Sequence, residues 1–387
     1  MNLDRFDVAI VGAGPAGSSA AIMLARKGYS VALLDRRFFP REKLCGDYVS
    51  PLNWPLFERL GVAREILSLD HQKVTAFRIS SFSGAQAALD FPRADGPPPF
   101  GLGISRFYLD NLLAERAQRE GASVKQGLGL GSLSRDHGEW SVTFGGSSAE
   151  ARLQARVLIG ADGRNSRVAH RLGLARTAHG RGGAVAFQLY LRALGGLGGE
   201  VQIHLFPGGY AGLVGLGSGM TNLCLAVDSK VKRDLPIEAI LEDRLCRNPH
   251  LRKLLREAEI VGNARSAYPV YFSPRRSYGD GFLLAGDAAC VTEPVTGEGI
   301  YFALKSGLLA ARAADLALAS GDLSAQRLSV YHEACRRDFS FRRGINRLLR
   351  ALVYRPALLG PLIRLSSGTS FPIGPLVNLV CRREVLL

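Results

Sequence analysis

A mixed α/β architecture is predicted for this chain of 387 residues: a parallel sheet flanked by helices, a second sheet of antiparallel strands, and a helical basic tail. Three observations carry that prediction. Residues 6–35 pass from an apolar run through Gly12-Ala13-Gly14-Pro15-Ala16-Gly17 into an Ala-rich helical stretch, then into Ser30-Val31-Ala32-Leu33-Leu34-Asp35. That order is strand, turn, helix, strand. Two later apolar segments also end in Gly beside an acid, at Gly160-Ala161-Asp162-Gly163 and at Gly286-Asp287. Between them, residues 183–227 alternate apolar segments with Gly turns, as antiparallel strands do.

The first turn sets the chemistry. At a helix start the backbone amides have no intrahelical partner, so they point at an anion such as a phosphate. Gly12 allows the tight turn, Gly14 lets a pyrophosphate approach the backbone, and Gly17 lets the helix pack closely on the strand. Asp35 ends the next strand, where a carboxylate accepts from a ribose hydroxyl. This unit reads as a Rossmann-like dinucleotide site; a flexible loop in an ordinary α/β unit is the alternative.

With 47% hydrophobic residues the chain can bury the cores of two joined domains, and disorder is not expected. Its formal charge of +15 calls for an anionic ligand, an anionic membrane surface or nucleic acid. No Lys/Arg run alternates with aromatics on a regular face, so nucleic acid is not expected. The six cysteines form no CxxC pair, the pattern of reduced thiols in a cytoplasmic enzyme. The seven histidines lack metal-ligand spacing, so no metal is expected. No cleavable signal and no apolar stretch of membrane-spanning length is read, and a soluble cytoplasmic body is expected.

After Asp35 the basic, irregular residues 36–47 leave the second strand on the ligand side. Arg36, Arg41 and Lys43 are candidates to face adenosine and phosphates, with solvated surface charge the equal alternative. Residues 51–70 read as helix, with Leu56, Leu60 and Leu67 apolar; a strand-like segment holds Val74, Phe77 and Ile79, and a Pro-rich loop spans 92–99. Arg106 leads into a helix to about Glu120, where Leu109, Leu112, Leu113 and Ala117 recur at helical spacing until Gly121. Short strands are expected around Val124, at 140–144 and at 152–159, then antiparallel segments at 184–191, 201–206 and 223–227. A basic helix at about 236–256 and residues 268–272 return the chain to Gly286-Asp287. Then come Pro294-Val295-Thr296-Gly297-Glu298-Gly299-Ile300 and an apolar helix from about Tyr301 to Ala319. From residue 331 ten arginines stand against three acids, and Phe341, Ile345, Leu348 and Leu352 share one helical face.

Three strand ends with Gly beside an acid imply one extended ligand, whereas a nicotinamide dinucleotide usually needs only the first. In motif order and spacing, residues 5–320 resemble the FAD-dependent family that includes aromatic-ring hydroxylases, flavin-dependent halogenases and geranylgeranyl reductases. The resemblance implies FAD, with Gly12, Gly14, Pro15, Ala16 and Gly17 around its pyrophosphate and Asp35 on the adenosine ribose. It places Arg106 on the ribityl chain or pyrophosphate, Asp162 and Gly163 in the family's Asp-Gly motif, and Gly286 and Asp287 at the ribityl hydroxyls. Gly297, Glu298, Gly299 and Ile300 match the segment whose amides face the isoalloxazine; amides at a helix start would stabilise the negative edge of the reduced ring. Helix N-capping is the alternative role for Asp162 and Asp287. The implied domains are a discontinuous FAD-binding domain (1–70, 100–182, 268–330), a substrate domain (71–99, 183–267) and a basic helical region (331–387).

Cys45-Gly46-Asp47 together with residues 294–300 looks most like the geranylgeranyl reductase branch and its bacterial relatives, some of which accompany type III polyketide synthases. The reductases' Tyr-x-Trp-x-Phe-Pro signature should fall at 209–214, where this chain has Tyr210 but neither Trp nor Pro. The halogenases' Trp-x-Trp-x-Ile-Pro is absent too, and an unscreened Glu298 carboxylate would repel a halide there by several kcal/mol.

The resemblance therefore implies first an NAD(P)H-dependent monooxygenase acting on a hydrophobic polyketide-like or aromatic substrate. Second stands a reductase of isoprenoid or other C=C bonds; a halogenase or an idle flavoprotein comes last. Hydroxylation asks little of side chains beyond excluding water and orienting the acceptor. Reduction needs a proton donor, for which Cys45 is the candidate with Tyr210 behind it, and Glu298 lies in the flavin-facing segment; Cys45 and Tyr210 also read as ordinary core. No second dinucleotide motif follows, so NAD(P)H visits transiently or an external flavin reductase supplies electrons. One face of the 183–227 sheet, with Phe187, Leu189, Leu191, Ile203, Leu205 and Leu213 in its strands, is expected to line an apolar pocket; sheet core is the alternative. The tail 338–387 has two readings as well, peripheral contact with an anionic bilayer or docking on the protein's own pocket.

Overall fold

Five parallel strands, in the order Phe282–Leu284, Glu150–Gly160, Asp4–Val11, Val31–Asp35 and Ser123–Gln126, form the spine of the computed structural model. The model describes residues 4–91, 100–145, 150–174, 184–192, 194, 197–228, 239, 244–270, 274–292 and 294–366. Val8, Ala9, Ile10, Val31, Ala32, Leu33 and Leu34 are all buried, as strands covered on both faces require. Because the strands are parallel, their carboxyl ends share one edge, where Val11 pairs with Gly160 and Leu34, and Gly160 with Leu284. The Gly-and-acid segments, far apart in the chain, meet at that edge.

Helix α1 (Pro15–Arg26) starts on a proline whose missing N–H would have been unpaired anyway. The expected helix over 51–70 is two short ones, α2 (Trp54–Leu60) and α3 (Ala63–Ser68), because Gly61 takes φ +71° and ends the first. The Ser105 hydroxyl accepts from the Phe107 amide to cap α4 (Arg106–Arg119), which packs on α1. A short α5 (Arg167–Arg171) follows the Gly160-Ala161-Asp162-Gly163 segment.

The second sheet runs Glu259–Val270, Ala184–Arg192, Thr221–Asp228, Gly209–Gly215, Glu200–Phe206, Ala76–Ser80, Gln86–Asp90. Its pairs are antiparallel except Glu200–Phe206 with Ala76–Ser80. The two-residue period decides its faces. Phe187, Leu189 and Leu191 pack in a cluster with Leu213, Leu223, Leu225 and Leu251 of α6 (Pro249–Leu255). Phe187, Leu189 and Leu191 are sheet core, whereas Ile203 and Leu213 line an internal cavity, so the expected pocket wall is met by part of the named set; Leu205 packs in a cluster with Ile203, Ile79 and Tyr210. Within the expected helix over 236–256 the described residues hold α6 and the turn Leu245–Arg247; residues 236–238 and 240–243, the 92–99 loop and 271–273 lie outside them.

The apolar helix α7 (Gly299–Ser320) crosses α1 closely: a Cβ at Gly307 would lie 2.1 Å from Ser19 Oγ, and that hydroxyl donates to Leu304 O at 3.2 Å. Two helices close the described chain, α8 (Ala325–Val353) and α9 (Pro356–Leu365). The Phe341-Ile345-Leu348-Leu352 stripe divides here. Ile345 is buried and Leu352 packs on the cluster that includes Leu359, while Phe341 and Leu348 stay exposed. Residues 367–387 of the tail lie outside the described ones.

Candidate active site

At the carboxyl edge of the parallel sheet the three glycines of the first turn have different surroundings. Gly12 takes φ +103°, and a Cβ there would sit 2.4 Å from Ala161 O. A Cβ at Gly17 would sit 1.8 Å from Gly12 O, so only glycine lets α1 close on the turn. A Cβ at Gly14 would meet nothing nearer than Arg41 Nη2 at 3.7 Å: that position opens into a cavity of about 830 Å³. Pro15, Ala16, Asp35, Arg36, Gly163, Gly286, Gly297, Gly299 and Ile300 line the same cavity.

The acids at this edge are placed differently from one another. Asp35 accepts from Ala13 N and Arg37 N, both at 3.0 Å, and pairs with Arg41 at 3.4 Å. Asp162 accepts from Ser166 Oγ, Arg167 N and Val168 N, tying down the turn that starts α5. Burial raises its pKa in spite of those donors. Asp287 faces the cavity, and among the described residues no protein hydrogen bond engages its carboxylate. Burial raises the Asp287 pKa against the pull of Lys43, Arg106, Arg164 and Arg275. Burial lowers the Lys43 pKa, with Arg106 working the same way.

Asp110, which the sequence reading did not single out, is fully buried and organises the cations. Arg106 grips it through Nε at 2.5 Å and Nη2 at 2.7 Å, one helical turn away, and Arg41 reaches it at 3.0 Å. Burial works against the Arg106 charge, but Asp110 and Cys45 beside it raise its pKa.

The structure does not turn Glu298 toward the cavity. Its carboxylate is 2% exposed and accepts from Arg342 Nη1 of α8 at 2.6 Å and from Asn346 Nδ2 at 3.2 Å. Burial raises its pKa and Arg342 opposes that. Glu298 is thus a screened charge that joins the 297–300 segment to α8, which corrects both its expected catalytic place and the picture of a bare carboxylate there. Arg342 and Asn346 had no signal beyond helical spacing.

Cys45 lines the cavity, with the Arg106 guanidinium and Asp47 beside it. Burial raises its pKa, with Arg106 opposing, so it stays a thiol near neutrality. Asp47 was quoted only as part of a motif. It is fully buried at φ +51°, and its carboxylate accepts from Asn222 Nδ2 at 2.6 Å, Tyr190 Oη at 2.9 Å and Gln188 Nε2 at 3.2 Å. Burial pushes its pKa up to about 6 against those donors. Asn222 also donates to Cys45 O at 3.0 Å, so the second sheet fixes the Cys45 turn directly. The Gly46-Asp47 dipeptide, a turn-forming pair, was the available signal. Tyr210 is brought to the apolar end instead, clustered with Ile203, Val353 and Leu359, with its ring 6.2 Å from that of Tyr354.

Comparison with known proteins bears on what this edge holds. The FAD binding domain family matches residues 5–194. The menaquinone reductase of Mycobacterium tuberculosis is 30% identical over 383 residues, covering 94% of this chain and 89% of that protein. The chain belongs to the FAD-dependent oxidoreductase family. This oxidoreductase is also 30% identical to the digeranylgeranylglycerophospholipid reductase of Methanosarcina mazei, over 87% of its own length and 81% of the relative's. It shares its fold with the geranylgeranyl bacteriochlorophyll reductase-like protein of Thermoplasma acidophilum, at a TM-score of 0.82, 21% identity and coverage of 99% and 97%.

The residues of the oxidoreductase fit FAD. The space at Gly14 beside the α1 amides, with Arg41, Lys43, Arg106 and Arg164 near it, suits a pyrophosphate; the open acceptors of Asp287 suit hydroxyls. The Gly297–Ile300 segment at the start of α7 suits the anionic edge of a reduced ring.

Proposed function

We propose that the enzyme reduces a carbon–carbon double bond in the isoprenoid chain of a lipid. The observation that carries this reading is the continuity of the cavity. The polar residues at the sheet edge and an apolar set with Phe77, Ile79, Ile203, Val214 and Leu359 line one space, and Cys45 lines it too. The names of the menaquinone reductase and the digeranylgeranylglycerophospholipid reductase support it, since the match covers 89% and 81% of those proteins.

FAD held by these residues would supply hydride-transfer chemistry toward one alkene carbon, with NAD(P)H or an external flavin reductase as the source of electrons. Cys45 Sγ gives its proton to the other. Two hydrogens enter the alkene, and the thiolate left behind takes a proton from water. The raised thiol pKa keeps that proton in place before transfer, and the Arg106 guanidinium steadies the thiolate afterwards. The apolar walls exclude water and hold the chain without hydrogen bonds, as a polyprenyl group requires.

Anaerobic turnover of polyprenyl quinones and lipids with the reduced holoenzyme tests the reading. The expected product is two mass units heavier, formed without oxygen, and carries solvent deuterium at the protonated carbon when the reaction runs in D₂O. Cys45→Ala should slow it about a hundredfold, within the usual range for a lost general acid. A product that forms only with oxygen and carries its label would replace this reading with monooxygenation.

A further inference from the structure

The outer surface of α8 and α9 combines features that no part of the cofactor chemistry uses. The buried side of α8 carries Tyr331, Cys335, Phe339 and Arg342, which leaves Phe341 and Leu348 outside at 57% and 55% exposure. They are seven residues apart, two turns on one helical face. On α9, Leu362 and Leu365 are exposed as well. Between residues 336 and 365 the chain has eight arginines, and the single acid, Asp338, is paired with Lys305 at 3.2 Å and Arg337 at 3.0 Å. Arginines 336, 337, 347, 355 and 364 are exposed. Large apolar side chains set among exposed arginines on a face where basic residues far outnumber acids complement one surface in particular, a bilayer with anionic headgroups. The same two helices wall the cavity from within, through Leu349 and Val353 of α8 and Leu359 of α9.

We infer that the outer face of α8 and α9 docks on an anionic phospholipid bilayer, with Phe341 and Leu348 entering the headgroup boundary. On the reductase reading, a lipid substrate then reaches the cavity past these helices without crossing water. The docking itself is independent of that reading.

Flotation of the full-length holoenzyme with vesicles tests it. Vesicles of phosphatidylcholine with about 40% phosphatidylglycerol should carry the enzyme upward, and pure phosphatidylcholine should not. The F341S/L348S double variant should bind the anionic vesicles at least tenfold more weakly and melt within about 2 °C of the wild type. A tryptophan at 341 (F341W) should be quenched by brominated lipid chains. No flotation of the full-length enzyme on anionic vesicles would overturn the inference, as would binding that F341S/L348S leaves unchanged. Turnover of detergent-dispersed substrate should survive in F341S/L348S; absent turnover with intact flotation would count against the reductase reading alone.

Discussion

Replacing Arg342 by Met should leave Glu298 as an unpaired charge in the interior. The two groups are 3% and 2% exposed and 2.6 Å apart, so water cannot take over when the guanidinium goes. Breaking a buried pair from one side costs about 3–5 kcal/mol. An unfolding entropy of about 2.1 cal/mol/K per residue makes each kcal/mol worth roughly 1.2 °C in a chain of this length, so the midpoint should fall by about 4–6 °C. The loss should depend on pH with a definite sign. The folded pKa of Glu298 is already raised by burial, and without Arg342 it rises further. A raised carboxyl destabilises the fold once pH exceeds its unfolded value, so the deficit should be small near pH 4.5 and grow toward pH 8. Replacing both partners, Glu298→Gln with Arg342→Met, should recover most of the stability, because no charge remains to be stranded. Thermal and urea unfolding of the holoenzyme at pH 5 and pH 8 measure all three. A single variant within about 1 kcal/mol of wild type at pH 8, or a double variant no better than the single, would refute the reasoning.

Two further predictions concern the turns on either side of the cofactor groove. Asp47 rises from 3.8 to about 6 on burial. The wild type should therefore lose up to about 3 kcal/mol as pH climbs from 4 to 6.5. Asp47→Asn should flatten that part of the stability curve, and an unchanged slope in urea titrations would reject the assignment. Gly14→Val should lower FAD affinity at least tenfold, about 1.4 kcal/mol, while the apoprotein melts within about 2 °C of wild type. The reason is that position 14 has φ −78°, ψ −175° and free space around it. Gly17→Val, by contrast, should destabilise the apoprotein itself, because its Cβ would meet Gly12 O. Fluorescence titration of free FAD and calorimetry of the apoproteins separate the two effects.

Local chemistry was legible in the sequence wherever backbone rules act over a few residues. The turn at 12–17, the strand ending at Asp35, the helix starting at Arg106 and the apolar helix after Glu298 follow from glycine placement, capping and periodicity. Their meeting was legible too, since parallel strands bring their carboxyl ends to one edge whatever their separation along the chain. Long-range side-chain choices were not. A run such as Phe187-Gln188-Leu189-Tyr190-Leu191 announces alternation but not which face turns to the cavity, because a one-residue shift exchanges the two faces. Only the packed sheet sent the leucines to α6 and brought Gln188 and Tyr190 to Asp47. Likewise, the charge of Glu298 is evident in the sequence, but its effect depends on Arg342, brought beside it from another helix. Residue type and spacing fixed which cofactor this protein takes; tertiary packing decided which acids stay open to it and which are neutralised, because the energy of a buried charge is set by neighbours that the chain order does not reveal.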